Sequence, residues 1–308
     1  AYFLRALVHL DLCLVYGQTY TYSSDASHLG TAVMTTIPDV KSKIARSSAS
    51  ATYKQILSDL QTALDMFADG WTKGCFYASP AACKALMARV YLYMGNYADA
   101  KKYASEVISD YGLSLTPRAD YVAMFCGRKE GQEAIFRLNG LSGGAKLRSM
   151  FDYTSPQMYP SGKLLDIFSS DAHVWTGSDV RSELLSYKVA DGKEYSGVCM
   201  KFIDTEDVDE TQKRYDPFVF RLSEMYLIRA EAACHDGDTD TAVSDIAALE
   251  ARARGVKASD INVTFSSIDD LAGIVQRERI KELFLEGHRL FDLTRRHETL
   301  TRDVACGS

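Results

Sequence analysis

The sequence contains no Cys-x-x-Cys pair, no uninterrupted apolar run of membrane-spanning length and no excess of positive charge. Its seven cysteines (13, 75, 83, 126, 199, 234 and 306) are odd in number and thinly spread. Without a close pair they give no support to a zinc ribbon or a thioredoxin-type redox centre, and they read as isolated buried thiols. A helix that crosses a bilayer needs about 20 consecutive apolar residues. The best stretch here, Ala6 to Tyr16, is interrupted by His9 and Asp11. With 35 basic against 41 acidic side chains the net charge is −6, which leaves no global positive field and argues against a nucleic-acid partner. A Gly-rich phosphate loop and the metal-binding spacings H-E-x-x-H and E-x-x-H are also absent, so neither a metal nor a cofactor is expected. An initiator Met and a leader are missing as well. Ala1 opens inside a helical pattern with no N-cap before it, so localisation is not read from the lack of a targeting segment.

What is present is an ordinary globular composition. The 308 residues are 46% hydrophobic and 25% charged, which rules out a disordered or collagen-like chain and suffices for a large core. Tyrosine stands out: 18 Tyr accompany 13 Phe and 2 Trp, many rings that are apolar on the face and hydrogen-bonding at the tip.

Helical spacing dominates residues 1–110 and 217–308. Phe3, Leu7, Leu10 and Leu14 form a stripe that stops at Gly17, and Gln18 to Ser50 reads as a long Ser/Thr-rich loop. Further helices are expected over about 51–67, 80–94 and 97–109, with Pro80 suited to a first turn. Residues 111–216 are richer in Gly, Ser, Pro and aromatics, and read as an irregular insert with a short strand at Glu133 to Leu138. Helical spacing then returns over 217–234, 239–254 and 268 to about 293.

The helices carry a repeat. From Ala88 the residues Tyr91, Gly95, Ala100, Ala104 and Val107 follow at the same offsets (+3, +7, +12, +16, +19) as Ala233, Gly237, Ala242, Ile246 and Leu249 do from Ala230. Small residues that let two helices approach, with a glycine at the turn, make the helix–turn–helix pattern of tetratricopeptide repeats. A split third copy pairs Leu10, Cys13 and Gly17 with Ala63 and Leu64 across the long loop. The expected fold is therefore mostly α, with tetratricopeptide-like hairpins as a scaffold for the loop-rich insert.

Two motifs invite an enzymatic reading. Glu278, Glu282 and Glu286, at i, i+4 and i+8, place three carboxylates on one helix face, with His288 and Asp292 just beyond. Arg277, Arg279, Lys281, Arg289 and Arg295 are interleaved with them, so a salt-bridged structural face is preferred to a catalytic one. Gly140-Leu-Ser142-Gly-Gly144 fits the nucleophile elbow G-x-S-x-G, and His173, His235 and His288 lie downstream. That motif needs an alternating strand–helix sheet beneath it, which this chain lacks, so a flexible turn is preferred.

Five segments together resemble a known family. Phe3 to Gly17 (FLRALVHLDLCLVYG) is similar to its Arg-Ala helix ending in Tyr-Gly, and Tyr53 to Leu64 (YKQILSDLQTAL) to its Ile-Leu-x-Asp-Leu helix. Ala81 to Ser109 matches its best-formed repeat. Arg221 to Ala232 (RLSEMYLIRAEA) followed by Glu278 to Arg296 (ERIKELFLEGHRLFDLTRR) is close to its signature. The chain is on these residues identified as resembling the SusD/RagB group of nutrient-binding outer-membrane lipoproteins of Bacteroidetes-type bacteria. The resemblance implies one SusD-like domain over 1–308, with family segments at both ends lying outside it. It also implies a lipid-anchored protein of the outer cell surface that hands oligosaccharide to a SusC-like TonB-dependent transporter without catalysis. Glu278, Glu282, Glu286, His288, Arg289 and Asp292 then belong to a structural signature. A repeat scaffold that binds only proteins, and a serine hydrolase acting through Ser142, are the alternatives.

Aromatic residues of the insert are the candidates for sugar contact. Tyr153, Tyr159, Phe168, Trp175, Tyr187 and Tyr195 sit among Gly, Ser and Pro rather than on a helical stripe. A sugar ring offers a face of C–H groups that packs on such a ring, and loops on a rigid scaffold are where binding residues collect. Trp175 leads, with Tyr153, Tyr159 and Tyr195; Trp71, in a polar turn, follows.

Overall fold

The computed structural model describes residues 1–68, 71, 73–126, 131–140, 144–171, 177–189, 191–203 and 216–300. Helix α1 (Tyr2–Tyr16) packs on α2 (Ala49–Asp65), and α2 on α3 (Pro80–Met94). Helix α3 turns back into α4 (Tyr97–Asp110). The insert begins with α5 (Arg118–Cys126) and β1 (Ala134–Arg137), then α6 (Gly144–Phe151) and α7 (Gly162–Asp171). A hairpin of β2 (Ser186–Lys188) and β3 (Glu194–Ser196) follows, and β4 (Phe218–Arg221) closes the insert by pairing antiparallel with β1. The array resumes with α8 (Leu222–Asp236), which packs on α4 and leads into α9 (Thr239–Arg254), α10 (Ile268–Leu283) and α11 (Arg289–Arg295).

The two hairpins are built alike, for the reason the offsets give. Gly95 (φ 72°, ψ 14°) and Gly237 (φ 77°, ψ 10°) both take the left-handed conformation that ends a helix. Asn96 N–H donates to the Tyr91 carbonyl and Asp238 N–H to the Ala233 carbonyl, each at 2.9 Å. The same Asn96 and Asp238 then cap α4 and α9 by accepting from the Asp99 and Thr241 amides. Ala88, Ala100 and Ala104 are fully buried, as are Ala230, Ala242 and Ile246. Gly17, by contrast, is extended at φ −102°, so the split copy uses a different turn.

One apolar core runs through α1–α4 and α8, with Phe3, Tyr53, Leu86, Ala104 and Ile228 among its members. The insert has a second, formed by Tyr121, Phe125, Phe151, Leu184, Met200 and Phe202 and closed by Ala253 and Phe284. The array therefore presents the insert as a packed body.

Three expectations are corrected. Residues 217–221 are not helical: Phe218–Arg221 is an aromatic-rich strand that pairs with β1, and the helix starts only at Leu222. The helix expected over 268–293 is broken, because Phe284 turns extended and Leu285 (φ 60°) and Gly287 (φ 86°) take left-handed conformations before α11 restarts. The insert is also more regular than its composition suggests, with three short helices and a hairpin. No disulfide forms among the described cysteines, and Cys13, Cys83, Cys126, Cys199 and Cys234 are buried. No described helix is long and apolar enough to cross a membrane.

Candidate functional site

The insert meets the array at a cage of buried charges. Arg181, which no solvent reaches, donates to Asp179 (2.6 and 2.8 Å), Glu250 (2.9 Å), Glu282 (3.0 Å) and Glu278. Glu282 also accepts from Arg221 (2.5 Å), Arg252 (2.7 Å) and the Tyr121 hydroxyl (3.2 Å). Glu286 accepts from Arg221 (2.9 Å) and Lys201 (2.6 Å). Glu286 thus lies past the end of α10, off the shared helix face, yet its carboxylate still reaches the cage.

These contacts decide the ionisation. Against the cost of burial, Arg252, Arg221 and Arg181 hold Glu282 well below the usual carboxylate range, and Arg221 and Lys201 hold Glu286 down at about 2. Glu278 moves the other way, pushed up by burial and by the adjoining Glu250 carboxylate. A second network joins Arg89 to Glu224 (2.7 Å), Arg279 to Asp292 (2.8 Å) and Arg295 to Asp292 (3.0 Å) and Glu231 (2.7 Å). His288 sits 3.9 Å from Glu224, and burial pushes its pKa down to about 4, so it is neutral at pH 7. The pairs Arg181–Glu282 and Lys201–Glu286 each join a residue of the insert to one of the array.

Two grooves flank α7. One, of about 560 Å³, lies between residues 159–167 and the 279–300 segment and is lined by Tyr159, Lys163, Phe284, His288, Arg289 and Asp292. The other, of about 590 Å³, is lined by Phe168, Ser178, Asp179, Ser182, Ser186 and Ser196. The hairpin explains its chemistry. Tyr187 pairs with Tyr195, and Ser186 with Ser196, so strand alternation turns rings to one face and hydroxyls to the other.

The sequence candidates are only partly brought together. Tyr153 meets Tyr187 (4.6 Å between ring centroids) and Tyr195 (5.2 Å), half-buried against the insert core. Tyr159 is 63% exposed at the mouth of the first groove. Trp71 is in a separate exposed cluster, edge-on to Phe67, with Lys73 Nζ 5.2 Å from its ring and 5.3 Å from that of Tyr77. Trp175 and Ser142 lie outside the described residues. The only sheets among the described residues are two antiparallel pairs, so the base that a nucleophile elbow requires is not among them. Sequence reasoning missed the serine-lined groove. The period-2 alternation S-Y-K and E-Y-S was the available signal, too short to be read as a hairpin.

A stack of helical hairpins carrying a packed, loop-rich insert defines a helical-repeat scaffold with a presented face. The SusD family model matches residues 69–304, and the model described as "starch-binding associating with outer membrane" matches residues 1–92. The chain belongs to the SusD family. Solved structures agree. A SusD superfamily protein from Bacteroides thetaiotaomicron is 26% identical with a TM-score of 0.81, over 98% of this chain and 67% of that one. Another, from Bacteroides vulgatus, is 28% identical with a TM-score of 0.82, over 98% and 67%. A putative sugar-binding protein from Bacteroides vulgatus is 25% identical with a TM-score of 0.81, over 98% and 66%. This chain thus spans about two thirds of their length. Among curated proteins none matches.

Proposed function

We propose that this chain is the binding module of a cell-surface nutrient-binding protein. It takes up oligosaccharide at the outer membrane and delivers it, without catalysis, to a SusC-like TonB-dependent transporter. The observation that carries the reading is the insert itself: a hairpin with rings on one face and hydroxyls on the other, on a body joined to a helical scaffold by buried ion pairs, in a family described as starch-binding and outer-membrane-associated. Preformed surfaces with a few stacking rings suit weak, reversible binding, around micromolar to millimolar, which a protein that hands on its cargo needs. Attachment by a lipid anchor outside this sequence belongs to the same proposal.

Ligand contact is assigned to Trp175, Tyr153, Tyr159 and Tyr195, with Trp71 secondary. Calorimetric titration against plant and host glycans, with circular dichroism as the folding control, tests it. Trp175→Ala is expected to weaken binding more than Trp71→Ala, and both variants to stay folded. Undiminished binding in Trp175→Ala moves the site elsewhere. A wild type that binds no glycan favours the protein-scaffold reading, which the exposed apolar face of α1 (Leu4, Val8, Leu12, Val15) supports.

A further inference from the structure

The groove beside the β2–β3 hairpin is walled by hydroxyls and by charges that are already matched. Five serines line it: Ser169 from α7, Ser178 and Ser182 from the 177–185 segment, and Ser186 and Ser196 from the hairpin. Ser186 stands directly opposite Ser196, and neither hydroxyl has a hydrogen-bond partner among the described residues. Ser182 donates to the Asp179 carbonyl (2.7 Å) and keeps its lone pairs, whereas Ser178 accepts from Arg118 Nη2 (3.0 Å) and keeps its O–H. The wall therefore offers both donors and acceptors, which suits a ligand whose own groups are hydroxyls.

The two ionised side chains among the described lining residues are both engaged. Asp179 accepts from the Arg181 amide (3.0 Å), Nε (2.8 Å) and Nη2 (2.6 Å). Arg254 donates from Nε to Glu250 (2.7 Å) and from Nη1 to the Gly177 carbonyl (2.5 Å). The next pair outward on the hydroxyl face of the hairpin, Lys188 opposite Glu194, carries one charge of each sign. An ionic ligand would shed water here and meet no unmatched counter-charge, a cost that a neutral polyol does not bear. The apolar part of the wall is Leu165, Phe168 and Leu185, and Phe284 holds the Phe168 ring edge-on at 6.2 Å between centroids. A ring fixed in this way offers a flat surface to the C–H face of a sugar, and about 590 Å³ is within the range of small-ligand clefts.

We propose that this groove is the subsite for an uncharged sugar residue of a neutral oligosaccharide, with its C–H face on Phe168 and its hydroxyls on Ser182, Ser186 and Ser196. The assignment rests on the carbohydrate reading above and gives that reading a place and a substrate class.

The test is calorimetric titration of the whole chain with neutral gluco-, galacto- and manno-oligosaccharides and an oligogalacturonate of equal length, each at low and high salt. At least one neutral oligomer is expected to bind, more tightly than the acidic one and with the same affinity at both salts. Ser186→Ala/Ser196→Ala is expected to weaken that binding about tenfold with the melting temperature retained, the loss of one or two net hydrogen bonds. Phe168→Leu, which keeps apolar volume and removes the flat ring, should weaken it as well. Ser196→Trp, which fills the groove from an exposed strand position, should abolish it; the alanine variant decides the case if the tryptophan unfolds the hairpin. Neutral binding that is undiminished in the folded variants overturns the groove as the site and leaves carbohydrate binding intact. A preference for the oligogalacturonate, or binding that falls with salt, overturns the neutral class. Binding of none of the four removes both this subsite and the carbohydrate reading behind it.

Discussion

Glu282 is a carboxylate that four groups address at once: Arg181, Arg221, Arg252 and the Tyr121 hydroxyl. Replacing it with Gln keeps the shape and strands three buried cations around a neutral amide. Breaking a buried pair costs about 3–5 kcal/mol, so Glu282→Gln is expected to lower the free energy of unfolding by that order, read as a lower urea midpoint, or to abolish soluble expression. Glu286→Gln should act in the same direction, and neither change should alter glycan affinity of the protein that still folds. Selective loss of binding at unchanged stability would instead place these acids in the ligand site. Protonation makes the same change reversibly. Glu286 has a folded pKa of about 2 against an ordinary 4.5, so the stability it contributes is complete above pH 4.5 and lost as pH falls toward 2. Its share is on the order of 3 kcal/mol. Glu278, raised rather than lowered, has the opposite sign: its contribution is present in acid and fades as rising pH forces ionisation beside Glu250. Urea titrations stepped from pH 7 to 3 should show the steepest loss below pH 4.5.

The hairpins make a prediction of their own. Ala100 and Ala242 hold equivalent, fully buried places where two helices touch. Leu at either should overpack the joint and cost about 1–3 kcal/mol, read as a lower melting temperature. Two variants that melt like the wild type would mean that the hairpins are not close-packed there. This is also where the sequence was most legible. Small residues and turn glycines sit at fixed offsets because each is demanded by local geometry, so Ala88 to Val107 and Ala230 to Leu249 could be matched on paper. Phe218–Arg221 was not legible, since an aromatic strand running straight into α8 keeps the apolar density of a helix and its partner lies some eighty residues away. The break after Leu283 was hidden for a related reason. Glu286 keeps helical spacing from Glu282, but it is Arg221 and Lys201 that draw it into the cage. Of the site, the aromatic character of the insert was visible; which rings meet, and that serines line the opposite face, depends on tertiary pairing.

At the scale of the whole molecule, the array core and the insert core are joined by charge. The array core and the insert core meet through Arg181, Arg221, Arg252 and their acids, and Phe284 and Ala253 plug the insert from the array side. Replacing Arg181 with Leu should therefore loosen the insert more than the array. Amide exchange in α5 and over 180–202 is expected to quicken, with α3, α4 and α8 unchanged; uniform quickening would mean one indivisible body.

The cage also sets an order of events during synthesis. Arg181 and Arg221 emerge from the ribosome well before Glu282 and Glu286, and none of these charges can be desolvated until its partners arrive. The hairpin α3–α4 can pack as soon as it is made, whereas the insert must wait for α10, the last long helix. A nascent chain stopped before Ile268 is expected to hold a protease-resistant α1–α4 and an insert that protease still cuts; completing the 268–286 segment should close the insert.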